Sequence, residues 1–205
     1  MAAAGWELRP LQSPPALTRG HEINRFHKFF AHQLFAGARW SIYIDGNVTF
    51  GGLFAQLIAE VSQAKAGIGT FIHPNAHSLR KEAEVCGLGK FDGWDFAKVE
   101  AQLAQSARAG VDLDAIIPAC YILVRDHEAP QLASAMSLWW SQIFEYTKRD
   151  QMSFPYILNQ SGLQLQFLDA DGGIDSALVI RRNHTRPPFL QRAIRRAKSF
   201  VNKGR

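Results

Sequence analysis

The chain reads as an α/β protein, a mixed sheet flanked by helices, and three observations predict it. Short apolar runs, Trp40-Ser41-Ile42-Tyr43-Ile44, Ile68 to Ile72 and Tyr121 to Val124, alternate with longer segments of helical period. Hairpin turn signals between them are scarce. A content of 47% apolar and 20% charged residues over 205 positions suits one globular body with a sizeable core.

The elements follow in order. Residues 7–20 hold Pro10, Pro14 and Pro15 and read as an irregular lead-in. Residues 24–36 suit a short helix with Phe26, Phe29, Phe30 and Leu34 turned inward. Residues 40–44 carry no charge and read as a fully buried strand. Leu53, Leu57, Ile58 and Val61 predict a helix near 53–64, and Ile68 to Ile72 a strand that Pro74 ends. Helices are expected over 77–86 and 94–109, and a third strand over 121–124. Residues 130–147 give the clearest helix, with Leu132, Ala135, Met136, Trp139, Trp140, Ile143 and Phe144 on one broad apolar face. A short helix from about Asp150 and a strand at 163–168 complete the body.

Cys86 and Cys120 are too few for a disulfide framework and have no metal-ligand spacing. No apolar run approaches the ~20 residues that span a bilayer. The start, Met1 to Glu7, lacks the basic and apolar regions of a secretory signal, so a cytoplasmic protein is expected. The net charge of +5 is uneven: nine of the 23 Lys and Arg lie from Arg181 onward, where there is no acid. The remaining 14 face 18 Asp and Glu, and a mildly acidic body argues against a nucleic-acid groove across it.

Asp45-Gly46-Asn47 is the most informative motif. It ends an apolar strand, where open α/β sheets place their ligands. Asp45 and Asn47 offer hard oxygens of the kind Mg²⁺ or Mn²⁺ prefers. The same triplet is also a common turn sequence, and locally both readings stand.

Further segments add to it: Asn24-Arg25-Phe26-His27-Lys28-Phe29-Phe30-Ala31-His32 before the strand, His73-Pro74 with Lys81-Glu82-Ala83, Arg125-Asp126-His127, Trp139-Trp140, and Arg149-Asp150-Gln151-Met152-Ser153-Phe154. In this order and spacing, over about residues 5 to 160, the chain resembles a glycosyltransferase-like domain family. That family is named after plant proteins of turgor regulation and seed mucilage. The resemblance implies a nucleotide-diphospho-sugar transferase fold of the A type, in which an Asp-x-Asp-like motif holds a divalent cation against a diphosphate. Only about 20 residues precede the aromatic-basic helix, and Gly5 to Leu8 resembles the family's second strand, so the first strand is expected to be lacking.

The implied activity moves a sugar from a nucleotide diphosphate donor to a glycan or lipid-linked acceptor. Arg25, Lys28, Asp45 and Asn47 would bind the donor. Asp45 and Asn47 would ligate Mn²⁺ or Mg²⁺, with His184 or alternatively His127 adding a nitrogen. Asp150 and Gln151 would face the acceptor: Asp150 acts as general base in an inverting transfer, or orients the sugar in a retaining one. The alternatives are a non-catalytic glycan-binding or scaffold domain and a lipid or glycan hydrolase; the lack of a nucleophile elbow disfavours the hydrolase. His73 and His77 would share a helical face only in a helix that began before Pro74, so they are not expected to form a metal site. Trp139 and Trp140 read as core, with a sugar-stacking platform at the rim of a pocket as the alternative. Residues 1–186 form the domain; in 187–205, Leu190, Ala193, Ile194, Ala197, Phe200 and Val201 alternate with basic residues as a helix suited to an anionic membrane surface.

Overall fold

The computed structural model of the protein describes residue 10 and residues 14–51, 54–75, 77–87, 95–168 and 179–181. The expected opening segment Gly5 to Leu8, His184 and the 187–205 helix lie outside them.

The architecture is mixed α/β. Helix α1 (Gly20–Phe29) and the single turn α2 (Ala31–Leu34) precede strands β1 (Trp40–Ile44) and β2 (Val48–Phe50). Helix α3 (Phe54–Gln63), strand β3 (Ile68–Thr70), helices α4 (Leu79–Val85) and α5 (Phe96–Arg108), and strand β4 (Ile122–Asp126) follow. Helices α6 (Leu132–Glu145) and α7 (Asp150–Ser161) then lead to strands β5 (Leu165–Phe167) and β6 (Val179–Arg181). The main sheet has the order β1-β4-β3-β5. Its pairs β1–β4 and β4–β3 are antiparallel and β3–β5 is parallel. A separate antiparallel ladder joins β2 to β6.

The central strand β4 explains why the core has two sides. Successive side chains of a strand point to opposite faces. Leu123 packs into a cluster with Phe29, Trp139 and Phe154 from α1, α6 and α7. Ile122 and Val124 face the other way, onto Leu57 and Val61 of α3. A third cluster joins α4, α5 and α7 through Leu79, Val99 and Met152. Trp139 is wholly buried, stacked between Phe29 (ring centroids 4.5 Å) and Phe154 (4.1 Å). The helix α7 stops at Gly162, whose φ of 68° is the left-handed value that a side chain disfavours.

Three expectations change. The 24–36 helix breaks at Phe30, giving α1 and α2. Strand β1 is not fully buried: among the described residues it is the sheet's edge and pairs with β4 alone, and all five residues keep partial exposure. The helix from Asp150 is 12 residues long, not short, because Met152, Phe154 and Ile157 anchor it in the core. Strand β2, three residues long, was not expected.

Candidate functional site

The site forms where α1, the end of β1, the start of β4 and the start of α7 meet. On α1, a spacing of three puts Arg25 and Lys28 on one face while Phe26 and Phe29 meet α6. Lys28 is not on a solvated face: it is 1% exposed. Its Nζ donates to Asp150 Oδ2 at 2.5 Å and to the Cys120 carbonyl at 2.5 Å, and lies 3.9 Å from Asp45 Oδ1. It also sits 4.8 Å over the Tyr43 ring. Arg25 Nη2 approaches Asp150 Oδ1 at 3.5 Å.

Asp45 opens a tight turn in which the Val48 N–H donates to its carbonyl at 2.8 Å. Its carboxylate is still aimed at the site. The Tyr43 hydroxyl donates to Oδ1 at 2.7 Å and accepts from Asn24 Nδ2 at 3.2 Å. Burial and the neighbouring Asp45 charge push the Tyr43 phenol well up, so it stays a donor. The triplet is therefore a turn whose first residue still presents its carboxylate to the site.

Burial alone would raise the pKa of Asp150, but the charges of Lys28, Arg25 and Arg149 outweigh it and hold the carboxyl well below the usual carboxylate range. Gln151 donates from Nε2 to the Ala119 carbonyl at 2.5 Å; its buried Oε1 has no hydrogen-bond partner among the described residues.

Three successive carbonyls position this set. Ala119 receives Gln151, Cys120 receives Lys28, and the Tyr121 carbonyl accepts the Asp45 backbone N–H at 2.8 Å. Cys120 turns the chain there with φ 61°, a left-handed value that a non-glycine residue adopts at a cost. Behind them, buried Arg125 donates to the Lys28 carbonyl at the end of α1, where a helix favours a cation. Desolvation lowers its pKa to about 10, which leaves it charged at neutral pH.

A second cluster adjoins the first. Arg149 grips Glu82 Oε1 through Nε (2.8 Å) and Nη2 (2.7 Å). Glu82 is fully buried; its Oε2 lies 2.9 Å from His77 Nδ1 and 3.7 Å from His73 Nε2. The two imidazoles stack at 4.4 Å, although no helix joins them. The 73–77 loop is closed instead by Ile117, which accepts from the His73 N–H and donates to the His77 carbonyl. The two histidines thus meet through a loop rather than along a helical face. Glu82 was missed because a glutamate in the first turn of α4 reads as an ordinary helix-start acid.

Two sets of residues could hold a metal ion. His73, His77 and Glu82 offer ligand atoms within 4.8 Å of one another. Asp45 and Asn47 offer an oriented, one-third-exposed carboxylate and an amide oxygen, the modest set that Mg²⁺ or Mn²⁺ accepts when substrate phosphates supply the rest. His127 does not join them. It lies beyond Asp126, whose partner Trp40 begins β1, while Asp45 follows its far end. Its ring nitrogens contact the Ala38 carbonyl at 2.7 Å and Ser41 Oγ at 2.8 Å.

The glycosyltransferase-like family described as TOD1/MUCI70, glycosyltransferase-like domain, matches residues 18–168. No curated protein and no solved structure matches the chain significantly. The family match spans most of the sequence, from the lead-in before α1 to the end of β5 and across every residue of both clusters: the chain belongs to the TOD1/MUCI70 glycosyltransferase-like domain family.

Proposed function

We propose that the protein transfers a sugar from a nucleotide diphosphate donor to a glycan or lipid-linked acceptor, with Lys28, Arg25, Asp45 and Asp150 as its centre. The observation that carries this reading is the buried Lys28–Asp150 pair, with Arg25 and Asp45 beside it, in a chain of a glycosyltransferase-like family. Burying such charges is costly unless function or precise pairing retains them.

Arg25 and Lys28 supply positive charge for a diphosphate, and the Arg25 fork can grip it with two hydrogen bonds. Asp45 and Asn47 would hold a divalent cation, which neutralises the charge that builds on a diphosphate leaving group. Arg181 at the end of β6 pairs with Val48, so the strand preceding His184 runs toward the Asp45 turn. This direction supports His184, rather than His127, as a further ligand.

Asp150 is held ionised, and a carboxylate of such low basicity abstracts protons poorly at neutral pH. That supports orientation of the acceptor sugar over general-base work. The unpartnered Gln151 Oε1 can accept from an acceptor hydroxyl. Trp140 and Phe144 line a pocket beside Arg25 and offer an apolar rim for a sugar ring. No helix among the described residues is long and apolar enough to cross a membrane. A lipid-linked acceptor would then be met at the surface, through the basic 187–205 segment.

A second reading has its own support. Asp150 is already matched by two cations and the Gln151 amide by a carbonyl, as in a domain that binds glycan without turning it over. A panel of nucleotide sugars with Mn²⁺ separates the two. Transfer by the wild type that Asp150→Asn lowers supports the enzyme, and a loss of roughly 10²-fold or more would mark Asp150 as the general base instead. Glycan binding without transfer supports the module.

A further inference from the structure

The second cluster has a hydrogen-bonding logic that ties it to the first. His73 Nδ1 faces the backbone N–H groups of Asn75 (3.3 Å) and His77 (3.4 Å) and therefore accepts. Its proton then rests on Nε2, toward Glu82. His77 Nδ1 points at the same carboxylate oxygen. Cys86 Sγ donates to the other oxygen, where the Arg149 fork also docks. Cys86, His77 and the Arg149 fork thus donate to Glu82 in this state, and His73 turns its proton toward the same carboxylate from 3.7 Å, which describes an acceptor ringed by donors rather than a set of lone pairs awaiting a cation. Arg149 is the residue before the first turn of α7, and the next two residues are Asp150 and Gln151.

We infer that Glu82 is a positioning residue for the Asp150 centre. It fixes Arg149 and thereby the direction in which α7 presents Asp150 to Lys28 and Arg25. The grip has a geometric basis: a guanidinium held at two nitrogens cannot swivel, and Arg149 has no freedom to drift with the 146–149 turn. The charge balance agrees. Arg149 is attracted by both Glu82 and Asp150, so a guanidinium released from Glu82 is free to move toward Asp150 and compete with Lys28 for it. The inference rests on Asp150 being the centre, so its test includes a readout that needs no transferase activity.

Cys120 supplies that readout. Its thiol is buried and its carbonyl holds Lys28, so it reacts with a thiol reagent only when the centre opens. Alkylation of full-length protein, resolved for Cys120 and Cys86 by mass spectrometry, is compared in wild type, Glu82→Gln, Arg149→Lys and Leu57→Ala. Leu57 is buried in the α3 cluster on the other face of the sheet and serves as the control for general destabilisation. Positioning predicts that Cys120 alkylation rises about tenfold more in Glu82→Gln than in Leu57→Ala at matched loss of Tm, because the opening is local. Arg149→Lys, which keeps the cation but loses the fork, should act in the same direction even if Glu82→Gln fails to fold. Rates that follow global stability alike in all variants overturn the inference. So does stabilisation of the wild type, but not of Glu82→Gln, by Zn²⁺ alone, since the His73, His77 and Glu82 trio would then be a metal site. Where transfer is measurable, Glu82→Gln should lower kcat more than it raises KM. A wild type without transfer but with local opening in Glu82→Gln would refute the enzyme and keep the positioning.

Discussion

Replacing Lys28 by methionine isolates the charge at the heart of the site, because the stem survives and the ammonium goes. In the wild type Nζ holds Asp150 at 2.5 Å in a place where Lys28 is 1% exposed. Removing one member of a buried pair costs about 3–5 kcal/mol, since the other charge is stranded. Arg25 at 3.5 Å remains to compensate in part, which points to the lower end, about 3 kcal/mol. For a chain of this size that is about 6–12 °C in Tm. The pH dependence carries the sharper signature. A depressed Asp150 pKa contributes stability that is present above the unfolded carboxylate pKa and lost as pH falls through the folded value. In Lys28→Met the push from burial meets less opposition, the pKa rises, and acid relieves the variant by neutralising Asp150. Urea unfolding at pH 7 and pH 4 should therefore show a large gap between the two proteins that narrows in acid. A loss under about 1 kcal/mol at pH 7, or a gap unmoved by acid, would refute the pairing as the source of stability. Lys28→Met with Asp150→Leu should recover most of the loss, because a buried pair exchanged for apolar groups is often near neutral.

Other outcomes follow from the same geometry. Mn²⁺ should raise Tm more in the presence of a nucleoside diphosphate, and Asp45→Ala should abolish that extra shift; equal shifts in both proteins would remove Asp45 from the ligands. Gly69→Ala would set a Cβ 2.4 Å from Val61 Cγ2, and Gly67→Ala one 2.4 Å from Leu163 Cδ1. Each should destabilise by about 1–3 kcal/mol through overpacking, measured by urea unfolding, with wild-type stability counting against the packing. The full chain should co-sediment with anionic but not neutral vesicles, more weakly in salt, whereas a version ending at Arg186 should not; like behaviour of the two would make the 187–205 segment structural.

The parts of the fold that were legible share a cause. Strand β1 was read with its observed bounds because five uncharged residues stand between Arg39 and an Asp-Gly turn. Its place at the sheet edge was not legible, since local pattern says what a strand can bury but not how many neighbours it has. Strand β2 escaped because Val48-Thr49-Phe50 is too short to show a period, and its partner lies more than 120 residues away. At the site, Asp45, Asp150, Arg25 and Lys28 could be named from ordered motifs, and the structure brings these four together. What no local pattern announced was the reason: three consecutive carbonyls at 119–121, one on a strained residue, which collect side chains from α1 and α7 and the backbone N–H of Asp45 just after β1. Glu82, His73 and His77 were hidden similarly, since their meeting depends on Ile117 tying a loop from across the fold.

The separation of Lys28 from Asp150 also sets an order of events during synthesis. The two residues are 122 positions apart, and Lys28 Nζ otherwise finds Cys120, 92 positions on. At about 5–20 residues per second, Asp150 is joined to the chain roughly 6–24 s after Lys28. Arg125, which holds the Lys28 carbonyl, arrives 97 positions late as well. Until Cys120 and Arg125 are made α1 has neither its anchor nor its charge partner, and its phenylalanines wait longer still for the Trp139 surface they cover in the finished protein. Helix α1 is therefore made well before it can settle, and a nascent chain halted before residue 120 presents an apolar, cationic α1 to whatever holds unfinished chains in the cell.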